Sequence, residues 1–278
     1  MAKHITIPSC MAFHGVSGLR QKYIDAVNIA YTNGTLETLG GDLFAASDEC
    51  DSHVDYEITA EEQFGFPVQV LCCVDVLCMN LEIHDKQVFL IRFLNAVPIG
   101  ADLNLVWPQL ALWMLQNKLY GLIHKKGLDV DQYTLEKLYS MYHDWVSHGY
   151  IAPKSEWQEL SDQLTAQSPS QANELLEGLI KATGWVDPDD SETHLLLPNW
   201  GIYTAFSAAA DIHEETIAQQ VDSGDVVSIG NDTAQTLSHV QRYQLLDLIK
   251  AAPVCSAEQI IAYQQHRKVD IRRAVNAA

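Results

Sequence analysis

Basic side chains are scarce in this sequence. Seventeen Lys and Arg stand against 36 Asp and Glu, so the formal net charge is −19 and the isoelectric point lies near 4.7. A chain this acidic repels phosphate backbones and anionic lipid, which removes nucleic acid and a charged membrane surface from the expected partners. Long apolar runs are missing too. No stretch approaches the roughly 20 uninterrupted apolar residues that a membrane helix needs. Met1 to Phe13 lacks the apolar centre of a secretory signal and carries His4 and Pro8, so a cytosolic location is expected.

The common catalytic signatures are absent. There is no G-x-x-x-x-G-K-S/T, no G-x-G-x-x-G, no G-x-S-x-G and no H-E-x-x-H, which argues against nucleotide enzymes and common hydrolases. The six cysteines, Cys10, Cys50, Cys72, Cys73, Cys78 and Cys255, match no zinc spacing. Cys72, Cys73 and Cys78 sit in the apolar run Val68 to Leu81, where cysteine behaves as a small hydrophobe. No basic residue near them in sequence would lower a thiol pKa, and no cofactor is expected.

What is present is helical periodicity. Trp107-Pro108 reads as a helix start. Leu112, Leu115, Leu119 and Leu122, widened by Trp113, Tyr120 and Ile123, give an apolar stripe ending at Gly127. A second helix begins near Asp129 or Asp131, carries Leu135, Leu138, Tyr142 and Trp145 inward, and closes at Gly149. The same reading gives helices over 19–31, 155–165, 171–183, 199–221 and 232–252. A last one opens at Ser256-Ala257-Glu258-Gln259. Ala205, Ala208, Ala209 and Ala210 form a small-residue face that admits a close neighbour. Val68 to Leu94 fits helix and alternating strand alike, and helix is preferred because everything after it is helical. His84-Asp85-Lys86 reads as a hairpin turn or a helix connection.

The expected fold is therefore mainly α. Pairs starting near 68, 107, 154 and 199 have a period of roughly forty to forty-seven residues, which fits HEAT-like stacked helical pairs. An irregular multi-helix domain produces the same pattern, and a small β-hairpin near 68–94 is the third option. Residues 1–98 form a mixed or helical N-terminal region and 99–278 a helical domain, separate from it or continuous. The pattern assigns no oligomeric state.

Charge is uneven along the chain. Residues 151–240 hold fifteen Asp or Glu against Lys154 and Lys181 alone, whereas 241–278 carries Arg242, Lys250, Arg267, Lys268, Arg272 and Arg273. Trp157 and Trp185 flank this acidic stretch near helix ends, where aromatics serve as binding anchors. With the acidic turn Asp187, Asp189 and Asp190 they form the candidate binding residues. The alternative is a metal site. Asp211 and Glu214 share one helix face, Asp144 and His148 are similarly spaced on another, and carboxylates with histidine bind cations in helical bundles. His143 and His148, five residues apart, are expected to diverge.

Short helical pairs beneath an acidic surface resemble bacterial helical immunity or inhibitor proteins in architecture. That resemblance implies a binding protein that engages a basic protein partner rather than an enzyme. A metal-dependent enzyme using Asp144, His148, Asp211 and Glu214 is the rival reading.

Overall fold

The computed structural model describes residues 9–36, 59–125, 130–184, 197–222 and 233–267. Among these it is mainly α, as the periodicity predicts. The helices are α1 Ser17–Asn33, α2 Val68–Cys78, α3 Ile83–Ala96, α4 Val106–Gln116, α5 Gln132–His148, α6 Lys154–Thr165, α7 Gln171–Lys181, α8 Leu197–Asp222, α9 Thr233–Lys250 and α10 Ala257–Arg267. The β-structure described is one antiparallel bridge, Ala101 with Val254. Residues 68–94 are helical and not a hairpin. His84-Asp85-Lys86 lies inside the first turn of α3, and Met79–Glu82 makes the connection.

Two compact units emerge: Met1–Val106 with Leu246–Ala278, and Trp107–Leu245. The expected division at 98 puts the C-terminal helices with the central ones. The contacts return α10 and the end of α9, from Leu246, to the N-terminal part, while α9 up to Leu245 stays with the central helices.

The first unit is built on an aromatic cluster. Phe66 meets Phe13 edge-on at 5.2 Å and Phe93 edge-on at 5.8 Å, stacks on Phe64 at 5.3 Å, and Phe64 lies 4.2 Å from Tyr23. Phe64 and Phe66 are both fully buried, though they nearly adjoin in sequence. Gly65 makes this possible. Its φ of +66° turns the chain, and a Cβ there would sit 2.1 Å from the Met11 carbonyl oxygen. Each such ring contributes about 1.5–3 kcal/mol on burial.

Beside this cluster the backbone takes an unusual course. Phe13 and His14 have φ of 52° and 50°, and Gly15 follows at 72°. Left-handed geometry costs roughly 1–2 kcal/mol for each L-residue with a side chain, so the surroundings must enforce it. They do so by joining distant pieces of chain. The Ala12 N–H donates to Ala101 O at 2.9 Å, and the Gly100 N–H donates to Ala12 O at 2.9 Å. Asp102 N–H reaches Pro253 O at 2.9 Å, and Cys255 N–H reaches Gly100 O at 3.0 Å. α10 then leans on the turn. It opens with a reciprocal cap, in which Ser256 N–H donates to Gln259 Oε1 at 2.9 Å and Gln259 N–H to Ser256 Oγ at 3.2 Å.

The second unit departs from expectation at its start. The helix from Trp107 does not run to Gly127. It stops at Gln116, because Asn117 Oδ1 accepts from the N–H groups of Leu119 and Tyr120, at 2.9 and 3.1 Å. A side chain that satisfies its neighbours' backbone competes with helix. Leu119 is left 72% exposed, so the expected stripe ends at Leu115. A short 3-10 turn, Leu122–His124, follows. Asp131 then caps α5, accepting from Thr134 N–H at 2.8 Å and Thr134 Oγ1 at 2.6 Å, and Gly149 closes it.

The tightest packing joins α7 and α8. Gly178 and Ala182 on α7 are four apart, as are Gly201 and Ala205 on α8, and the two small-residue pairs face each other. A Cβ on Gly178 would lie 2.5 Å from Ala205 N, and one on Gly201 would lie 2.4 Å from Ala182 N. Ala205 and Ala208 are buried, so the small-residue face does admit a close neighbour. Tyr142 Oη donates to Leu179 O at 2.8 Å, linking α5 to the same pair.

Gly178→Val should destabilise the second unit by about 1–3 kcal/mol or more, because the clash is with backbone that cannot rotate away. Gly65→Ala should do the same to the first unit. Urea unfolding followed in each variant checks this, and a midpoint equal to the parent's at either position would contradict the packing described.

Candidate functional site

The exposed carboxylates of the second unit form its most distinctive chemistry. Glu159 and Asp162 on α6, Glu174 on α7, and Asp211, Glu214 and Glu215 on α8 are exposed. Lys181 is engaged by Glu177 one turn back, and Lys137 binds Glu156 at 2.7 Å. The outer side of α6 borders a shallow groove of about 500 Å³ lined by Ser155, Gln158, Glu159, Asp162, Gln163 and Ala166. Gln158 Nε2 donates to Asp162 Oδ1 at 3.0 Å, and Gln163 Nε2 to Glu159 Oε1 at 3.4 Å, so both carboxylates are steadied along the helix. Such a face offers acceptors and negative charge to ammonium or guanidinium groups.

The candidate binding residues divide. Trp185, Asp187, Asp189 and Asp190 lie outside the described residues. Trp157, expected as a surface anchor, is fully buried. Its indole N–H donates to Ala152 O at 3.1 Å, and its ring meets Tyr142 edge-on at 5.5 Å. It is a core residue because it falls on the same stripe of α6 as Leu160 and Leu164. Among the described residues the exposed tryptophan is Trp200, stacked on Tyr203 at 5.8 Å near the start of α8.

The candidate metal residues also fall apart. Asp144 is half-buried and His148 exposed, with Nδ1 and Oδ1 3.2 Å apart one turn along α5. His143 does not diverge: its Nδ1 is 3.8 Å from the same Asp144 oxygen, and the two imidazoles lie 6.1 Å apart. Asp211 and Glu214 point to solvent on α8. Among the described residues no group of three or more His, Cys, Asp or Glu is arranged to hold a metal ion.

Two histidines are buried: His14, which the sequence did not single out, and His213, which the sequence places with Asp211, Glu214 and Glu215 but pointing away from Asp211. His213 is 9% exposed, its ring 5.2 Å from that of Tyr120, and its Nδ1 has no hydrogen-bond partner. Burial, and secondarily the charge of Lys125, push its pKa below the usual histidine value. His14, 4% exposed, sits in the left-handed turn. Its Nε2 is 2.8 Å from Glu62 O and its Nδ1 is 3.2 Å from Tyr263 Oη. A carbonyl only accepts, so Nε2 carries the proton and Nδ1 accepts from the tyrosine hydroxyl. Burial lowers this pKa also. Nearby, burial pushes the Cys10 thiol and the Tyr263 hydroxyl each up to about 12. Groups held neutral and satisfied in this way supply no nucleophile at neutral pH. The only signal for His14 was its place beside the apolar Phe13. Cys72, Cys73 and Cys78 are buried thiols, as their apolar context predicts. Asp75, within the same apolar helix, is buried and was not anticipated.

No family model matches the sequence, no curated protein matches it, and no solved structure matches the fold.

His213 makes the second unit acid-sensitive. Its folded pKa is depressed. As pH falls below about 6.5, the unfolded chain takes up a proton that the folded one refuses, and stability is lost until the folded value is reached. His213→Phe removes both this slope and an orphaned polar atom. Thermal unfolding of the variant at pH 7.5 should match or exceed the parent by about 1 kcal/mol, and the gap should widen at pH 5.5. A variant that loses stability at both values would show that the ring makes a favourable polar contact.

Proposed function

We propose that this protein is a helical binding or inhibitor protein whose acidic face, carried by α6 to α8, engages a basic protein surface. The observation that carries this reading is the charge segregation: fifteen carboxylates and two lysines in residues 151–240. The exposure of Glu159, Asp162, Asp211, Glu214 and Glu215 supports it, since these charges are available to a partner. Complementary fields of this kind raise association rates and reject partners of like charge. They also fade with salt, because the screening length falls from about 10 Å at 0.1 M to about 3 Å at 1 M.

The double variant Glu159→Lys, Asp162→Lys reverses charge at exposed positions. The parent should retain a basic partner from cell extract at low salt and release it at half-molar salt. The double variant should lose it at low salt, by at least tenfold in amount captured. A partner that survives half-molar salt unchanged, or that the variant retains fully, would overturn the electrostatic basis.

A further inference from the structure

We propose that α10 is a strap across the Phe13–Gly15 turn, released when His14 takes up a proton. Four side chains of α10 reach the turn and its flanks. Tyr263 donates to His14 Nδ1 and stacks on its ring at 6.0 Å with 19° between planes. Gln264 Nε2 donates to His14 O at 2.8 Å. Arg267 donates to Ser9 O at 2.8 Å and pairs with Glu61 at 3.2 Å. Ile260 closes against Gly15 and Gly100, where a Cβ would lie 2.6 and 3.0 Å from it. Tyr263 is the one side chain of α10 that is buried. A helix held by a single buried side chain and a few polar contacts belongs to the part of a fold that opens locally.

The His14 hydrogen-bond pattern makes that opening proton-sensitive. Nε2 already carries hydrogen, so an added proton must go to Nδ1, the atom that accepts from Tyr263. The accepting nitrogen becomes a donor facing a donor, and the hydroxyl must turn away. The imidazolium would also be buried without a carboxylate partner. Glu62 offers its backbone carbonyl rather than its side chain, and the Glu61 carboxylate is bound to Arg267. The charged and titratable groups about the ring are Glu61 and Glu62 from the 59–64 turn, Tyr263 and Arg267 from α10, and Cys10 from the N-terminal segment. Asp102 stands beyond Cys10. Burial, the largest effect, and Arg267 oppose the proton, whereas the Glu62 and Gln63 carbonyls and the Glu62 charge favour it.

The test is hydrogen–deuterium exchange on the whole chain from pH 7.5 to 5.0, corrected for the pH dependence of intrinsic exchange. Protection of 257–267 should fall below pH 6.5, by up to about thirtyfold at pH 5.0, the limit set by an open-state histidine of ordinary pKa. Helix α3 of the same unit should keep its protection. His14→Asn cannot titrate in this range and tolerates the left-handed region, so 257–267 should lose its pH response. Should that variant fail to fold, Tyr263→Phe serves instead: it should lower protection of 257–267 at pH 7.5 and weaken the acid response. Equal protection of 257–267 at both ends of the range in the parent would overturn the proposal. So would loss in step with α3, or an undiminished response in whichever variant folds.

Discussion

A left-handed turn with two non-glycine residues cannot stand by itself, and the first unit is arranged so that it need not. Phe13 is drawn inward by the aromatic cluster, while His14 is fixed by the 59–64 turn on one ring nitrogen and by α10 on the other. Ala12, Ala101 and Pro253 join three stretches of chain by backbone hydrogen bonds. The turn therefore binds the beginning of the sequence to pieces about 90 and 240 residues away. Without those pieces only the local bonds, His14 N–H to Met11 O at 2.7 Å and Val16 N–H to Phe13 O at 2.8 Å, would oppose relaxation of Phe13 and His14 to ordinary backbone.

The second unit rests on contact of a different kind. Two pairs of small residues let α7 and α8 approach until backbone meets backbone, and dispersion and burial replace directional bonding. Leu175, Leu179, Ile202 and Phe206 then fill the space on either side. Among the described residues of this unit no three His, Cys, Asp or Glu are arranged to hold a metal ion. Of the same residues Glu159, Asp162, Glu174, Asp211, Glu214 and Glu215 are exposed, and the proposal of recognition rests on them.

Legibility in the sequence varied with the kind of force involved. The helices α5, α7 and α10 were readable because stripe and cap are both local, as with Asp131 and Thr134, Ser170 and Asn173, or Ser256 and Gln259. The break at Asn117 was not, because Asn is common in helices and only its hydrogen bonds to Leu119 and Tyr120 reveal the turn. Trp157 was misplaced because a tryptophan near a helix start suits an interface and a core equally well. The depth of the unit around it decided the matter.

The residue order alone determined the helical class, the outward carboxylates and the small-residue face of α8. Each of these depends on spacing within one turn or on composition. Only the tertiary structure decided that α10 returns to the N-terminal unit, that His14 and His213 are buried, and that Asp144 shares both neighbouring imidazoles. Those outcomes depend on which surfaces meet across long stretches of chain. Periodicity carries no record of that choice, because an apolar stripe is satisfied by any partner that covers it.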